Sequence, residues 1–85
     1  MIDIIETDDF RKNLDKLPGD VVRLYEKQKS IFTKSWLDAR LHTKKLTDVN
    51  IYSFRITRNY RVLFYFYNDK TVVFVDIGHR KDIYN

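Results

Sequence analysis

The C-terminal part of the chain alternates apolar and polar residues with a period of two, which is the repeat of a β-strand. In "IYSFRI" (51–56), Ser53 and Arg55 fall on one face, and the more apolar residues fall on the other. Two further segments, "YRVLFYFY" (60–67) and "TVVFVDI" (71–77), follow the short turns "TRN" and "NDK". The pattern therefore predicts three consecutive strands that form an antiparallel meander.

The N-terminal part has one short β-branched run, "IDII", and then changes to the period of an α-helix. Thr7 and Asp8 can cap a first helix, whose apolar stripe comprises Phe10, Leu14 and Leu17. Pro18 and the glycine after it break this helix, and Asp20 can cap a second one that runs to about Thr33. A turn this short predicts two antiparallel, neighbouring helices.

Residues 34–50 are basic and less regular, and we interpret them as a mostly irregular connection. The predicted order is thus an N-terminal strand, an antiparallel two-helix hairpin and a three-stranded antiparallel meander. A chain of this kind folds as an α+β domain with the helices on one face of the sheet. With 85 residues and no repeat, we expect a single domain over residues 1–85.

Charge is distributed unevenly along the chain and suggests an anionic partner. Residues 1–20 hold six acidic and three basic side chains, whereas residues 21–85 hold six acidic and thirteen basic ones. The basic excess lies in the part that builds the sheet, which suits nucleic acid or an acidic protein segment. The chain has no cysteine, no apolar run long enough to span a membrane and no signal-peptide pattern. We therefore expect a cytoplasmic protein with no membrane partner.

Several cations and two proton-transfer groups are predicted to meet on the open face of the sheet. Arg61 lies across the hairpin from Arg55, and the tail adds His79, Arg80, Lys81 and Tyr84. These side chains are suited to binding a phosphodiester and moving protons without a metal. The alternative is that the strand arginines lie on a solvent face with their stems covering apolar surface. Too few metal ligands and no glycine-rich loop are present, so we expect no metal and no cofactor.

The segment from "KKLTDVNIYSFRI" through "NYRVLF" to "IGHRKDIY" resembles the RelE/ParE superfamily of toxins from type II toxin–antitoxin systems. The RelE-like branch is the more similar one. This resemblance implies the RelE-like microbial ribonuclease-type fold. It also implies an mRNA interferase, a metal-independent endoribonuclease that cleaves mRNA in the ribosomal A site by attack of the 2′-hydroxyl and so inhibits translation.

The resemblance also assigns roles to individual residues. Arg61 and Arg80 match the arginines that stabilise the scissile phosphate, and Tyr84 matches the tyrosine that orients the reacting nucleotide. Arg55 matches one of two basic positions on the preceding strand, whereas the other position is Ser53. The general base therefore remains open. His79 is a candidate, since a neutral imidazole accepts a proton near pH 7.

Other basic residues are candidates for binding the phosphates of RNA. Such contacts position the nucleic acid without specifying its sequence. The candidates are Arg40, Lys44, Lys45, Arg58 and Lys81. Solvated loop charges are the alternative. The expected partners are the ribosome with its mRNA and a cognate antitoxin whose acidic segment covers the basic sheet face. Operator DNA is expected to be bound only through the antitoxin.

Two other functions are compatible with the same resemblance. A ParE-like protein shares the fold but inhibits DNA gyrase, and the presence of Arg55, Arg61, Arg80 and Tyr84 together argues against it. A catalytically inactive relative that only binds an antitoxin or RNA is the second alternative, and Ser53 gives it some support.

Overall fold

A computed structural model describes residues 1–84 and contains one mixed sheet whose first two helices lie on one face. The strands are β1 (Asp3–Glu6), β2 (Lys44–Lys45), β3 (Tyr52–Arg55), β4 (Tyr60–Phe66) and β5 (Thr71–His79). The helices are α1 (Asp8–Asp15), α2 (Gly19–Lys34) and α3 (Arg80–Ile83), with a 3-10 turn over Ala39–Leu41. The sheet order is β1-β5-β4-β3-β2, in which only the β1–β5 pair is parallel. The predicted α+β class, the helical hairpin and the meander are confirmed.

The helix boundaries follow from local capping. Thr7 Oγ1 accepts a hydrogen bond of 3.1 Å from the backbone N–H of Phe10, as expected for an N-cap. The prediction that Asp20 caps α2 was wrong, because the helix already begins at Gly19. Pro18 is its N-cap, and the Pro18 carbonyl accepts from the N–H of Val22. Asp20 lies in the first turn, where its charge suits the positive end of the helix.

The core forms around the ring of Phe32 on α2, which contacts all three strands of the meander. Its centroid lies 5.1 Å from that of Phe54, 4.9 Å from that of Phe64 and 5.3 Å from that of Phe74. All four rings are fully buried. Phe10 of α1 also contacts Phe74, so both helices cover the same face of the sheet.

The segment interpreted as irregular contains more structure than its sequence pattern predicts. The fully buried Leu41 anchors the 3-10 turn, and β2 pairs with β3. At the C-terminus, β5 runs two residues beyond the predicted Ile77, because Gly78 and His79 continue the pairing with β4. The chain then turns into α3 instead of ending as a strand.

Glu6, at the end of β1, joins three elements through its carboxylate. The hydroxyl of the buried Tyr25 donates to it, Lys29 lies 3.2 Å away and Arg11 lies 2.8 Å away. Partial burial alone favours the neutral acid, but the Tyr25 hydrogen bond and the charge of Lys29 together lower the pKa of Glu6 below its ordinary value. The ionised carboxylate therefore stabilises the fold.

None of the helices within residues 1–84 is long and apolar enough to cross a membrane.

We predict that Phe32→Ala lowers the free energy of unfolding by about 3–5 kcal/mol, because it leaves a cavity where one ring contacts three strands. Urea denaturation followed by circular dichroism measures the change. Leu37→Ala is the control, since Leu37 is 65% exposed and its loss should cost less than about 0.5 kcal/mol. Equal losses for the two variants would contradict this description of the core.

The stabilisation by Glu6 should depend on pH. Its folded-state pKa lies below the ordinary value of 4.5, so the contribution is complete above about pH 4.5 and is lost as the pH falls through the lowered pKa. The difference in unfolding free energy between the parent protein and Glu6→Gln should therefore shrink as the pH is lowered from ~6 to ~3. A difference that stays constant over this range would refute the assignment.

Candidate functional site

The face of the sheet opposite the helices carries two directly opposed arginines. Since Phe54 and Phe64 point into the core, the alternating residues of β3 and β4 point away from it. Arg55 pairs with Arg61 in the register of these two strands. Two cations in this position repel one another unless an anion lies between them. The open face is therefore suited to binding an anion.

Arg61 is held in place by the turn that connects β3 to β4. It is only 9% exposed, and its Nη1 donates to the carbonyls of Thr57 (2.9 Å), Arg58 (2.8 Å) and Tyr60 (3.3 Å). Burial, followed by the positive charge of Arg55, lowers the pKa of Arg61, and Tyr84 opposes that shift. The guanidinium is thus a fixed and partly desolvated cation, which favours strong hydrogen bonds to a phosphate.

Helix α3 brings the tail residues back over the same face. The imidazole Nδ1 of His79 accepts from the N–H of Lys81 at 3.1 Å and caps the helix, while the N–H of Arg80 donates to the Asn59 carbonyl at 2.7 Å. The hydroxyl of Tyr84 then donates to Ser53 Oγ at 3.2 Å. The tail is therefore tied to both the turn and β3.

These side chains surround a cleft of about 540 Å³, which we call the first cleft. It is lined by His42, Lys44, Leu46, Ser53, Arg55, Arg61, Arg80, Lys81 and Tyr84. No carboxylate occurs among these lining residues. The cleft offers several cations, a phenol and an imidazole to a ligand, which is the chemistry that a phosphodiester requires.

A second cleft, of about 560 Å³, adjoins the first and shares four residues with it. The shared residues are His42, Arg55, Arg61 and Arg80, and the second cleft adds Gln28, Arg40, Ile56, Thr57 and Arg58. The Nε2 of Gln28 donates to the carbonyls of Arg40 (3.1 Å) and Arg55 (2.9 Å). Gln28 therefore ties the 3-10 turn to β3 and fixes the distance between the walls of this cleft.

Arg40, in the second cleft, is paired with a carboxylate. Its guanidinium makes two hydrogen bonds, of 2.9 and 3.0 Å, to the carboxylate of Asp38. The side-chain hydrogen bonds from Arg40 lower the pKa of Asp38 to about 2, so the pair remains ionised at neutral pH. An anion in this cleft would share Arg40 with a carboxylate.

Eight of the ten residues predicted for the site line these two clefts. They are Arg40, Lys44, Arg55, Arg58, Arg61, Arg80, Lys81 and Tyr84. Lys45 lines neither cleft, because it follows Lys44 along β2 and neighbouring strand residues point to opposite faces.

The prediction that His79 lies in the cationic site was wrong, because its side chain lines neither of the two clefts. His79 pairs with Tyr60 across the strands, and their ring centroids are 5.5 Å apart. Both side chains line a separate cleft next to α1, where Asp76 accepts from Asn13 at 2.8 Å. Because Arg61 and Tyr60 are adjacent on β4, they face opposite sides of the sheet. His79 is therefore a helix cap outside the two cationic clefts.

Lys44 supplies a cation next to Ser53, the position at which the resemblance led us to expect a basic residue. It lies directly opposite Ser53 in the register of β2 and β3, and both residues line the first cleft. Residues opposite one another in a sheet share a face, so the lysine places a positive charge beside Ser53 from the neighbouring strand. The sequence pattern missed this pairing because β2 is only two residues long.

Sequence reasoning also missed His42 and Gln28. His42 was not among the predicted site residues, and it lines both clefts. Its neighbours Arg40 and Lys44 are the one sequence feature that pointed towards the site. Gln28 lies on α2 between Tyr25 and Phe32 at the spacing of the buried face, so the helical period marks it as an inward-facing polar residue but does not identify its partners.

Within residues 1–84, no group of three or more His, Cys, Asp or Glu side chains is arranged so that it could hold a metal ion.

Comparison with solved structures places this fold among known toxins. The RelB–RelE antitoxin–toxin complex of Methanococcus jannaschii matches with a TM-score of 0.78 and 28% identity, over 94% of this chain and 94% of that one. The RelBE2 toxin–antitoxin complex of Mycobacterium tuberculosis matches with a TM-score of 0.75 and 25% identity, over 93% and 98% of the two chains. The chain has a RelE-like toxin fold.

More distant structures share this RelE-like fold. YafQ from E. coli matches with a TM-score of 0.72 and 14% identity over the full length of both chains. No protein-family model matches the sequence, and no curated protein matches it significantly. The similarity to known proteins is therefore carried by the structure.

The opposed arginines predict a stability that depends on anions. Arg55→Gln should raise the free energy of unfolding by about 0.2–1 kcal/mol at low ionic strength, because it removes repulsion with Arg61. Inorganic phosphate should then stabilise the parent protein more than the variant, and thermal denaturation measures both effects. Arg23→Gln, on the exposed part of α2, should show neither effect. The same phosphate response in all three proteins would exclude an anion site here.

Proposed function

We propose that this chain is the toxin of a type II toxin–antitoxin system and cleaves mRNA on the ribosome as an endoribonuclease. The observation that supports this most is the meeting of Arg55, Arg61, Arg80 and Tyr84 around one cleft whose lining residues include no carboxylate. The RelE-like fold supports the same function. Cleavage would inhibit translation because it interrupts the message that the ribosome is reading.

The chemistry proposed for the first cleft is attack of a ribose 2′-hydroxyl on the adjacent phosphate. The O2′–P bond forms while the P–O5′ bond breaks, which gives a 2′,3′-cyclic phosphate and a free 5′-hydroxyl. Arg61 and Arg80 neutralise the negative charge that develops on the phosphate oxygens. Arg55 and Lys44 add to the positive electrostatic potential around the phosphate. Because Arg61 is already fixed by the turn carbonyls, it needs little reorganisation when the charge develops.

Tyr84 is placed to orient the reacting nucleotide. Its hydroxyl is held by Ser53 at 3.2 Å, which leaves the ring as a flat surface at the edge of the first cleft. An aromatic ring in this position can stack on a base without selecting its sequence. Contacts that select the message would then come from the ribosome.

The second cleft extends the cationic surface beyond the scissile phosphate. Arg40 and Arg58 line it with the shared arginines, and phosphate contacts of this kind position nucleic acid without reading bases. We assign it to the RNA backbone next to the cleavage site, either of the message or of the ribosome. The cytoplasm is the compartment in which this function would operate.

The proposed partner is a cognate antitoxin with an acidic segment. Several structures with this fold are toxin–antitoxin complexes, including RelB–RelE from Methanococcus jannaschii and DinJ–YafQ from E. coli. An acidic segment laid across the two clefts would neutralise the arginines that RNA needs. Contact with operator DNA would be made through the antitoxin.

Toeprinting of a defined mRNA on programmed ribosomes tests the proposed function. The purified protein should produce new cuts at the A-site codon that are absent when the same mRNA is free. Arg80→Ala and Arg61→Ala should reduce the cleavage rate by about 100-fold or more, since each removes charge stabilisation of the transition state. Arg23→Ala, which removes an arginine from exposed α2, should cleave like the parent protein.

Two results would contradict the proposal. Intact mRNA with every variant and with the parent protein would exclude ribosome-dependent cleavage, and a gyrase cleavage assay would then test the ParE-like alternative. Undiminished cleavage by Arg80→Ala would instead remove the first cleft as the active site, because Arg80 is exposed and its loss should leave the fold intact. Melting temperatures of all variants show whether each one folds.

A further inference from the structure

The proposed reaction requires a group that accepts the proton of the 2′-hydroxyl, and most side chains of the two clefts cannot do so. Arginine and lysine are ordinarily protonated at neutral pH and serve to stabilise charge. No carboxylate lines either cleft within the part of the chain that the structure describes. His42 is the one imidazole among their lining residues. Imidazole is the side chain best suited to accept a proton near pH 7.

His42 occupies the junction of the two clefts. It lines both of them, as do Arg55, Arg61 and Arg80. A phosphate bound by these three arginines would therefore lie in the same space that the imidazole faces. The group is exposed, so a ribose hydroxyl can reach it without any movement of the core.

The backbone at His42 is left-handed, with φ 49° and ψ 46°, a conformation that histidine adopts at a cost and that glycine or asparagine adopts more easily. Both neighbours are anchored. Leu41 is fully buried, and Thr43 Oγ1 donates to the carbonyl of Trp36 at 2.6 Å. Unfavourable backbone conformations that are held in this way occur often at functional sites. The anchored turn presents the imidazole to the clefts.

We infer, on the basis of the proposed ribonuclease function, that His42 is the general base of the reaction. An imidazole nitrogen takes the proton of the 2′-hydroxyl as the O2′–P bond forms. The P–O5′ bond breaks, and the leaving 5′-oxygen takes a proton from water. His42 then returns its proton to the hydroxide that remains, so the enzyme ends in its starting state.

The charged and titratable groups that face His42 come from β2, β3, β4, α3 and the adjacent turns. Both clefts contribute Arg55, Arg61 and Arg80. The first cleft adds Lys44, Lys81 and Tyr84. The second cleft adds Arg40 and Arg58. The basic residues in this set are ordinarily cationic throughout the range in which an imidazole titrates, and a tyrosine is ordinarily neutral there. A change of rate in that range therefore reports on the imidazole.

The test measures the single-turnover rate of ribosome-bound mRNA cleavage between about pH 5.5 and 8.5. The parent rate should rise with pH and then level off, as expected for one base. His42→Asn and His42→Gly should lower the rate by about 100-fold or more and should lose the rising limb. Their melting temperatures should equal or exceed the parent value, because both residues suit the left-handed backbone. Added imidazole should restore part of the rate to His42→Gly.

Asp48→Asn is the matched control, because Asp48 also has a positive φ of 65° but lines neither cleft. Its rate and pH profile should equal those of the parent. Parent-like rates with an intact rising limb in both His42 variants would overturn the assignment while leaving the proposed function in place. A low rate in His42→Gly that imidazole does not raise, with the rising limb retained, would also overturn it. If the parent protein itself does not cleave, the proposed function fails and the assignment fails with it.

Discussion

The packing of Phe32 against the meander is the constraint on which the rest of the structure depends. One ring contacts a phenylalanine on each of β3, β4 and β5, so it fixes which face of all three strands is buried. A strand that slipped by one residue would expose its aromatic side chains and bury its polar ones. The same contacts that exclude water from the core therefore point Arg55 and Arg61 to the opposite face. The two arginines meet on the open face because the packing of the core permits only one register of the strands.

The open face concentrates positive charge at some cost to the fold. Arg55 and Arg61 repel each other across β3 and β4, and Arg61 is partly desolvated as well. Backbone carbonyls of the connecting turn offset part of this cost by accepting hydrogen bonds from Arg61. A bound anion would relieve the remaining cost, so the stability of the protein should then depend on its ligand. Such a surface suits a polyanion such as RNA.

Much of the fold and the centre of the site could be predicted from the sequence. The change of period from 3.6 to 2 separated the helices from the meander, and strand alternation placed Arg55 and Arg61 on one face. The motif "GHR…Y" led to Arg80 and Tyr84, which lie in the first cleft. The predicted strands and the positions of these side chains agree with the structure, because each prediction rests on a local pattern that tertiary contacts reinforce.

The errors concern residues whose positions depend on contacts distant in sequence. His79 was expected at the site because it precedes Arg80, yet its pairing with Tyr60 directs it to the face that carries the helices. His42 reaches the clefts from a turn anchored by a buried leucine, and the pairing of Lys44 with Ser53 depends on a two-residue strand; neither feature has a recognisable period. Gln28 acts through carbonyls 12 and 27 residues away. The local sequence pattern does not show which residues distant in the chain will contact one another.

The central claim is that the cationic cleft promotes attack by a ribose 2′-hydroxyl on the neighbouring phosphate. The most direct measurement uses an mRNA with a single 2′-deoxynucleotide at the cleaved position of the A-site codon, together with end-group analysis of the products from unmodified mRNA. The account predicts that the deoxy substitution abolishes cleavage at that bond and that the unmodified message yields a 2′,3′-cyclic phosphate and a 5′-hydroxyl. Cleavage at the deoxy position, or a product with a 5′-phosphate, would contradict it.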